Sequence, residues 1–451
     1  MTSVQRPLWQ RFLIFLIPLM LANILQSLSG TINSVYVGQL LGVESLAAMS
    51  TFFPIMILLI SFIVGLASGS TVLIGQAYGA KNIAKVKEVA GTTLTSAFIL
   101  GLVVAAIGVF FMEPIMGMLG APANVIDQSV SYGRIVLIGM PGFFVFLIVT
   151  TVLRGVGDTV TPLVSLVLSI LTGLIVTPAL ILGWGGLPKI GVDAAAVAFI
   201  AGFLIVLVFL FFYLRARKSP LAPDRQLLRD LKIDLPLLGK ILRLGIPAGV
   251  QMITSSLAAI VVVGIVNRFG SDATAAYGAV GQVLSYIQFP AMSIAIATSI
   301  FGAQAIGAGQ TDQLRRIVRT GLVMNLVITG ALVAVAYLFS QHLVALFITS
   351  PEVIEITETL LHIVLWSVVM FGFSAVLSGM MRASGDVFIP MLLSLGTILL
   401  VETPLALYLS TTSLGLNGIW TAYSVSFTMM LVVQGAYYWF VWKNKPIKKL
   451  I

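Results

Sequence analysis

One carboxylate stands deep in a long apolar run: Glu402, in GTILLVETPLALYL. An acid that must sit in hydrocarbon is costly to place and is by default a functional candidate, here one that takes up a proton or binds a cation. Pro404, two residues on, frees backbone carbonyls nearby. The competing reading is an acid that hydrogen-bonds a neighbouring helix. Other polar residues recur at helical spacing. Asn23, Gln26, Ser29 or Gly30, Asn33 and Tyr36 fall three or four apart and share one face of an otherwise apolar helix. That face either lines a cavity or forms a hydrogen-bonded seam between helices. Gln251, Thr254 and Ser255, then Gln282 and Tyr286, offer a second polar surface, with Phe289 and Met292 just beyond. Aromatic and thioether side chains suit adaptable binding of flat apolar cations, and equally suit a core.

Little else in the chain could do chemistry. It has no cysteine and two histidines, His342 and His362, so thiolate chemistry, disulfides and a transition-metal cluster are not expected. No nucleophile, base and metal set converges, which argues against an intramembrane enzyme. Arg134 is the one base inside an apolar run, where a snorkelling side chain or an anion contact would explain it.

The elements that must position these groups are membrane helices. The chain is 59% hydrophobic and 9% charged with a mean hydropathy of +1.09, more apolar surface than a water-soluble core could hide. A bilayer core about 30 Å thick needs roughly 20 apolar residues per span. Twelve such runs follow one another: 12–37, 46–73, 91–112, 126–153, 161–183, 193–214, 241–266, 274–301, 318–340, 354–381, 388–410 and 417–442. Trp9 and Arg11 lead straight into the first run with no small-residue cleavage pattern behind it, so that helix is expected to stay. Tyr437, Tyr438, Trp439 and Trp442 read as an aromatic belt.

Charge placement gives the orientation. With the N-terminus inside, the inside segments, from Arg6 to Lys449, hold 22 of the 25 Lys and Arg residues; outside loops hold only Lys189 and Arg268. That bias places both termini in the cytoplasm, and the net charge of +9 then belongs to the membrane surface rather than to nucleic acid.

The chain also repeats itself. RGVGDTVTP (154–162) returns as RASGDVFIP (382–390), a shift of 228 that also superposes Gly42 on Gly270, Ala47-Ala48 on Ala275-Ala276, Gln76 on Gln304 and Gly79-Ala80 on Gly307-Ala308. One ungapped register over some 120 residues means a duplicated unit. Six helices per copy return the chain to its starting side, so the copies are parallel. The expected architecture is an all-α polytopic membrane protein with twelve transmembrane helices in two pseudo-symmetric six-helix bundles, residues 1–217 and 237–451, joined by a basic cytoplasmic linker at 218–236. Parallel duplication suits two bundles rocking about a cavity. Arg154, Gly157 and Asp158, with Arg382, Gly385 and Asp386, mark short turns where Gly permits a bend and Asp caps the next helix, or a gate on the inner face.

VGQLLGVESLAA (37–48), GQAYGAKN (75–82), RGVGDTVTP, NRFGSDATAAYG (267–278), GAQAIGAGQ (302–310) and RASGDVFIP together resemble the multidrug and toxic compound extrusion (MATE) transporters, with most similarity to the bacterial DinF-like branch. The likeness spans nearly the whole chain. It implies secondary export, as an antiporter of the bacterial cytoplasmic membrane, of organic, often cationic compounds against an inward flow of H+ or Na+, with no other cofactor. A monomer is expected. The resemblance also exposes two departures. Family members usually carry Asp in the first helix where this chain has Asn33, and many carry a second Asp before the proline of the fifth helix, where this chain has Thr177. Neither replacement titrates near neutral pH, so Asn33 and Thr177 could serve coupling only as neutral oxygens on sodium, and Glu402 is the acid that remains deep in a span. A lipid or lipid-linked precursor flippase of the same superfamily is the alternative. It would call for several cavity bases where only Arg134 is intramembrane.

Overall fold

The structure is a computed structural model that describes residues 7–119 and 122–451; Arg6, counted above on the basic side, lies outside the described residues. The regular structure of the described residues is all helical, without a strand. In chain order the helices are α1 (Leu8–Leu41), α2 (Val43–Gly79), α3 (Ile83–Met118), α4 (Ile126–Ile138), α5 (Met140–Gly155), α6 (Val160–Leu182), α7 (Asp193–Ala216), the short α8 (Arg225–Arg229), α9 (Leu235–Val266), α10 (Ser271–Gly307), α11 (Gln313–Leu338), α12 (Pro351–Ala383), α13 (Phe388–Ser410) and α14 (Leu416–Asn444). Eleven of these are long and apolar enough to cross a membrane, and α4 with α5 makes the twelfth span.

That twelfth span departs from the continuous helix expected at 126–153. It breaks after Ile138 and bends by 52°. Pro141 sits in the first turn of α5, where a missing N–H is harmless; within a continuous helix it would cost a hydrogen bond and clash with the preceding turn. The second copy has Val369 at the equivalent place, and α12 runs unbroken for 33 residues.

The repeat is written into the backbone. Gly42 and Gly270, equivalent positions that end the first helix of each copy, both take an extended ψ with φ of 88° and 97°. Gly157 and Gly385 have φ of 92° and 88°. At all four an L side chain would be strained.

By packing, the chain divides into two compact units, Leu21–Gly249 and Met1–Met20 with Val250–Ile451. The division falls inside α1 and α9, each two residues beyond a proline, Pro18 and Pro247. It therefore differs from a boundary drawn at the linker. Long unbroken helices carry the start of α1, to Met20, into the second unit, while the linker and the start of α9 belong to the first.

In the Leu21–Gly249 unit, α2 and α9 approach backbone to backbone through Gly65 and Gly69 on one helix and Gly245 and Gly249 on the other. A Cβ on Gly69 would lie 2.1 Å from the Ile241 carbonyl oxygen, and one on Gly245 would lie 2.2 Å from that of Gly65. Small residues four apart allow such contact, which lipid-embedded helices use in place of a hydrophobic driving force. Phe143, Phe199 and Phe203 fill the space between α5 and α7, with ring centroids 4.8 and 5.4 Å apart in succession. In the other unit Phe12 packs on Phe301 at 4.8 Å, and Leu16 and Leu19 join Ile294, Met380 and Met381 in one buried cluster.

The linker is strapped to the start of α3. Lys87 pairs with Asp224, Thr92 Oγ1 donates to the Lys232 carbonyl at 3.3 Å, and Gly91 lets the Asp230 carbonyl come close. Asp224 also caps α8 by accepting from the Leu227 N–H at 2.9 Å, and Asp234 caps α9 by accepting from the Leu237 N–H at 2.8 Å. The Leu227 amide first, and Lys87 second, hold the Asp224 carboxyl below its ordinary range. A depressed carboxyl stabilises the fold above the unfolded value, about 3.9, and loses that contribution as pH falls through the folded value. Hydrogen exchange across 224–232 should therefore stay slow down through pH 4 and quicken only below it, whereas Asp224→Ala should speed it already at neutral pH.

Candidate functional site

The apolar α13 is interrupted by a π-turn at Ile398–Glu402, directly before Pro404. Proline cannot donate to the preceding turn, and the wider turn absorbs the misfit; Thr403 Oγ1 donates to the Ile398 carbonyl at 3.1 Å. The Glu402 carboxylate is buried, 6% exposed, and Ser426 Oγ of α14 donates to its Oε2 at 2.8 Å. Two phenols complete the surroundings. The Tyr277 and Tyr423 hydroxyls lie 3.1 Å apart, and Tyr423 stands one turn before Ser426 on α14. Trp420 packs on them at 5.2 and 5.3 Å, and its buried indole N–H finds no acceptor among the described residues.

This cluster of an acid, a serine, two phenols and an indole is held by α10, α13 and α14 within one unit. Only Glu402 was singled out from the sequence. Tyr277 lies inside the motif NRFGSDATAAYG, and Trp420, Tyr423 and Ser426 stand three apart on one face of the last helix, a periodicity that marks them in the sequence.

The remaining candidates distribute over both units. On α10, Gln282, Tyr286 and Phe289 are half-buried in a row, with Tyr286 and Phe289 edge to face at 6.2 Å. Gly278 and Gly281 beside them face open space, and Met292 is 47% exposed. Gln251 and Ser255, half-buried on α9, belong to the same unit. On α1, in the Leu21–Gly249 unit, Gln26 is exposed while Asn33 and Tyr36 are half-buried. Thr177 is buried beside Pro178 on α6. No hydrogen bond among the described residues joins Asn33, Thr177 and Glu402. Among the described residues, no group of His, Asp and Glu gathers to hold a metal ion.

The two repeated turns share their first half and differ in their second. Gly157 donates to the Arg154 carbonyl and Asp158 N–H to that of Leu153, both at 2.9 Å; Gly385 and Asp386 do the same with Arg382 and Met381, at 2.9 and 3.1 Å. This pattern closes a helix on a left-handed glycine. Asp158 then caps α6, accepting from the Thr161 N–H at 2.9 Å and from its hydroxyl at 2.6 Å. Asp386 has Ile389 where Asp158 has Thr161, and its carboxylate instead accepts from Tyr437 at 2.7 Å and Lys445 at 2.8 Å. Arg154 and Arg382 each bury an Nε–H that finds no acceptor among the described residues. Asp158→Ala should lower stability by about 1 kcal/mol, the value of a helix cap, measurable as a reduced melting temperature in detergent. Asp386→Ala should instead free residues 437–451 to a protease while α13 stays protected.

Twelve candidate spans, an internal duplication and a buried acid define a polytopic membrane protein. The sequence profile of the MatE family matches residues 18–179 and 247–408. The chain is 46% identical to the probable multidrug resistance protein YoeA of Bacillus subtilis, over 98% of this chain and 96% of that one, and 27% identical to the probable multidrug resistance protein YpnP of the same organism, over 95% and 94%. Its fold matches that of a Vibrio cholerae MATE transporter with a TM-score of 0.89 at 21% identity, covering 97% and 98% of the two chains. The chain belongs to the MATE family, whose members are transporters and not enzymes.

Proposed function

We propose that this protein is a secondary exporter that carries amphipathic, often cationic organic compounds out of the cell by alternating access, in exchange for protons taken up at Glu402. One observation carries the coupling part: Glu402 is a buried carboxylate with a single hydroxyl donor, on a helix wound to a π-turn at that residue. A carboxylate in apolar surroundings is tolerated as the neutral acid or when a cation compensates it, and exchange between those states is what couples a proton to a substrate cation. Sodium would ask for several more oxygens than the one serine and two phenols supply, so a proton is the preferred ion. The half-buried row of Gln282, Tyr286 and Phe289 offers aromatic faces to a substrate cation. The names of the relatives, two probable multidrug resistance proteins, support the substrate class. The excess of Lys and Arg on one side supports a bacterial cytoplasmic membrane with both termini inside. We take the monomer as the working unit.

The test is uptake of a fluorescent lipophilic cation into inside-out proteoliposomes under an imposed proton or sodium gradient. Acceleration by the proton gradient alone supports the reading. Acceleration by sodium alone would replace the ion, and uptake indifferent to both would remove the exchange mechanism.

A further inference from the structure

A groove of about 490 Å³ opens on the Leu21–Gly249 unit, between α3, α5 and α7 and beneath the linker. Its walls are nearly all apolar: Leu94, Phe98, Val149, Leu207 and Leu214 come from the spans, and Leu227 is among the linker side chains that close its end. The chain that carries Leu214 to Leu231 past the groove has the opposite character between its apolar residues. Arg215, Arg217, Lys218, Arg225, Arg229 and Lys232 are all exposed, and the Arg215 guanidinium lies 5.2 Å above the ring of Phe211, itself a groove residue. Of the three acids in this segment, Asp224 and Asp234 are engaged in caps and Asp230 is half-buried. The linker also exposes Leu228 and Leu231, at 55% and 43%. An apolar slot in a bilayer protein, with exposed bases and leucines interleaved along the chain that closes it, matches an amphiphile with an anionic head.

We infer that this groove holds an anionic phospholipid of the basic, linker-side leaflet, with an acyl chain between α3, α5 and α7 and its phosphate among the arginines that flank α8. The site is separate from the Glu402 cluster, which belongs to the other unit. Arginine suits the phosphate because its planar fork can give two parallel hydrogen bonds. The acyl chain fills a slot that would otherwise leave its apolar walls against nothing. Lipid bound here braces the linker on α3, through the Lys87 and Thr92 contacts already described.

Native mass spectrometry of the full-length protein, titrated with phosphatidylglycerol, phosphatidylcholine and sn-glycerol 3-phosphate in turn, tests this. Phosphatidylglycerol should be retained in preference to phosphatidylcholine, and glycerol 3-phosphate, a head without chains, should not be retained. Arg225→Gln and Arg229→Gln should each weaken the phosphatidylglycerol complex about fivefold, and together about 25-fold; Arg268→Gln, beyond the C-terminal end of α9, should leave it unchanged. Val149→Trp, which fills the slot, should abolish retention. Because the two arginines are exposed, their variants decide the matter even if Val149→Trp fails to fold. Equal retention of the two lipids, retention of glycerol 3-phosphate as tight as that of the lipid, or no loss in the double arginine variant would each overturn the assignment.

Discussion

Glu402→Gln should abolish proton-driven uptake while leaving a folded, substrate-binding protein. The exchange is nearly isosteric, and the glutamine carbonyl oxygen can still accept from Ser426 Oγ, so the packing of α13 against α14 survives. What disappears is the ability to change charge. An ion can shift a two-state transporter only by its differential affinity for the two states, and an amide that neither gains nor loses a proton has none. Coupling energies between sites typically correspond to roughly 5- to 150-fold changes in affinity, so gradient stimulation should fall by a factor in that range, to the level of passive exchange. Glu402→Asp keeps the charge but draws it back by one methylene from Ser426, and should retain part of the stimulation. A Gln variant that responds to the proton gradient like wild type would assign Glu402 a purely structural role and turn attention to Asn33 on α1.

Gly69→Leu should leave little folded protein. The new Cβ would meet the Ile241 carbonyl oxygen and the Gly245 nitrogen, at 2.1 and 3.0 Å, and backbone atoms cannot rotate out of the way as a side chain can. Forcing extra atoms into a tight contact costs about 1–3 kcal/mol and sometimes more, and here the contact is the seam that holds the start of α9 on α2. Total stabilities are only about 5–15 kcal/mol, so a large part would be lost. Gly245→Leu should behave alike, since its Cβ would meet the Gly65 carbonyl. Gly173→Leu, in open space on α6, should be tolerated. Melting curves by size exclusion in detergent compare the three; a Gly69→Leu protein as stable as Gly173→Leu would show that α2 and α9 need no close approach.

These two cases also show what the sequence could and could not disclose. The spans, the duplication and the deep acid were legible because each rests on a local property, the length of an apolar run, a fixed register or a charge in the wrong solvent. Gly65, Gly69, Gly245 and Gly249 were invisible as a set, since their meaning lies in a contact between helices 180 residues apart. The break at Gly139 could have been suspected from Pro141, but a proline in the first copy and Val369 in the second says only that the copies differ. The unit boundary was obscured for a related reason: hydropathy sees α1 and α9 as single helices and cannot tell that each changes packing partners near its proline. Around Glu402 the sequence pointed to the acid and missed its partners, because Ser426, Tyr423 and Tyr277 become neighbours only when three helices assemble. Both repeated motifs close on turns, yet the different duties of Asp158 and Asp386 depend on Thr161 and on the distant Lys445.

The most direct measurement of the central claim is the number of protons released when the purified protein binds a lipophilic cation, obtained by calorimetry in two buffers of different ionisation enthalpy at neutral pH. Proton exchange at Glu402 predicts release by the wild type that disappears in Glu402→Gln, with the cation still bound. Binding that releases no proton from the wild type, or the same number from both proteins, would contradict it.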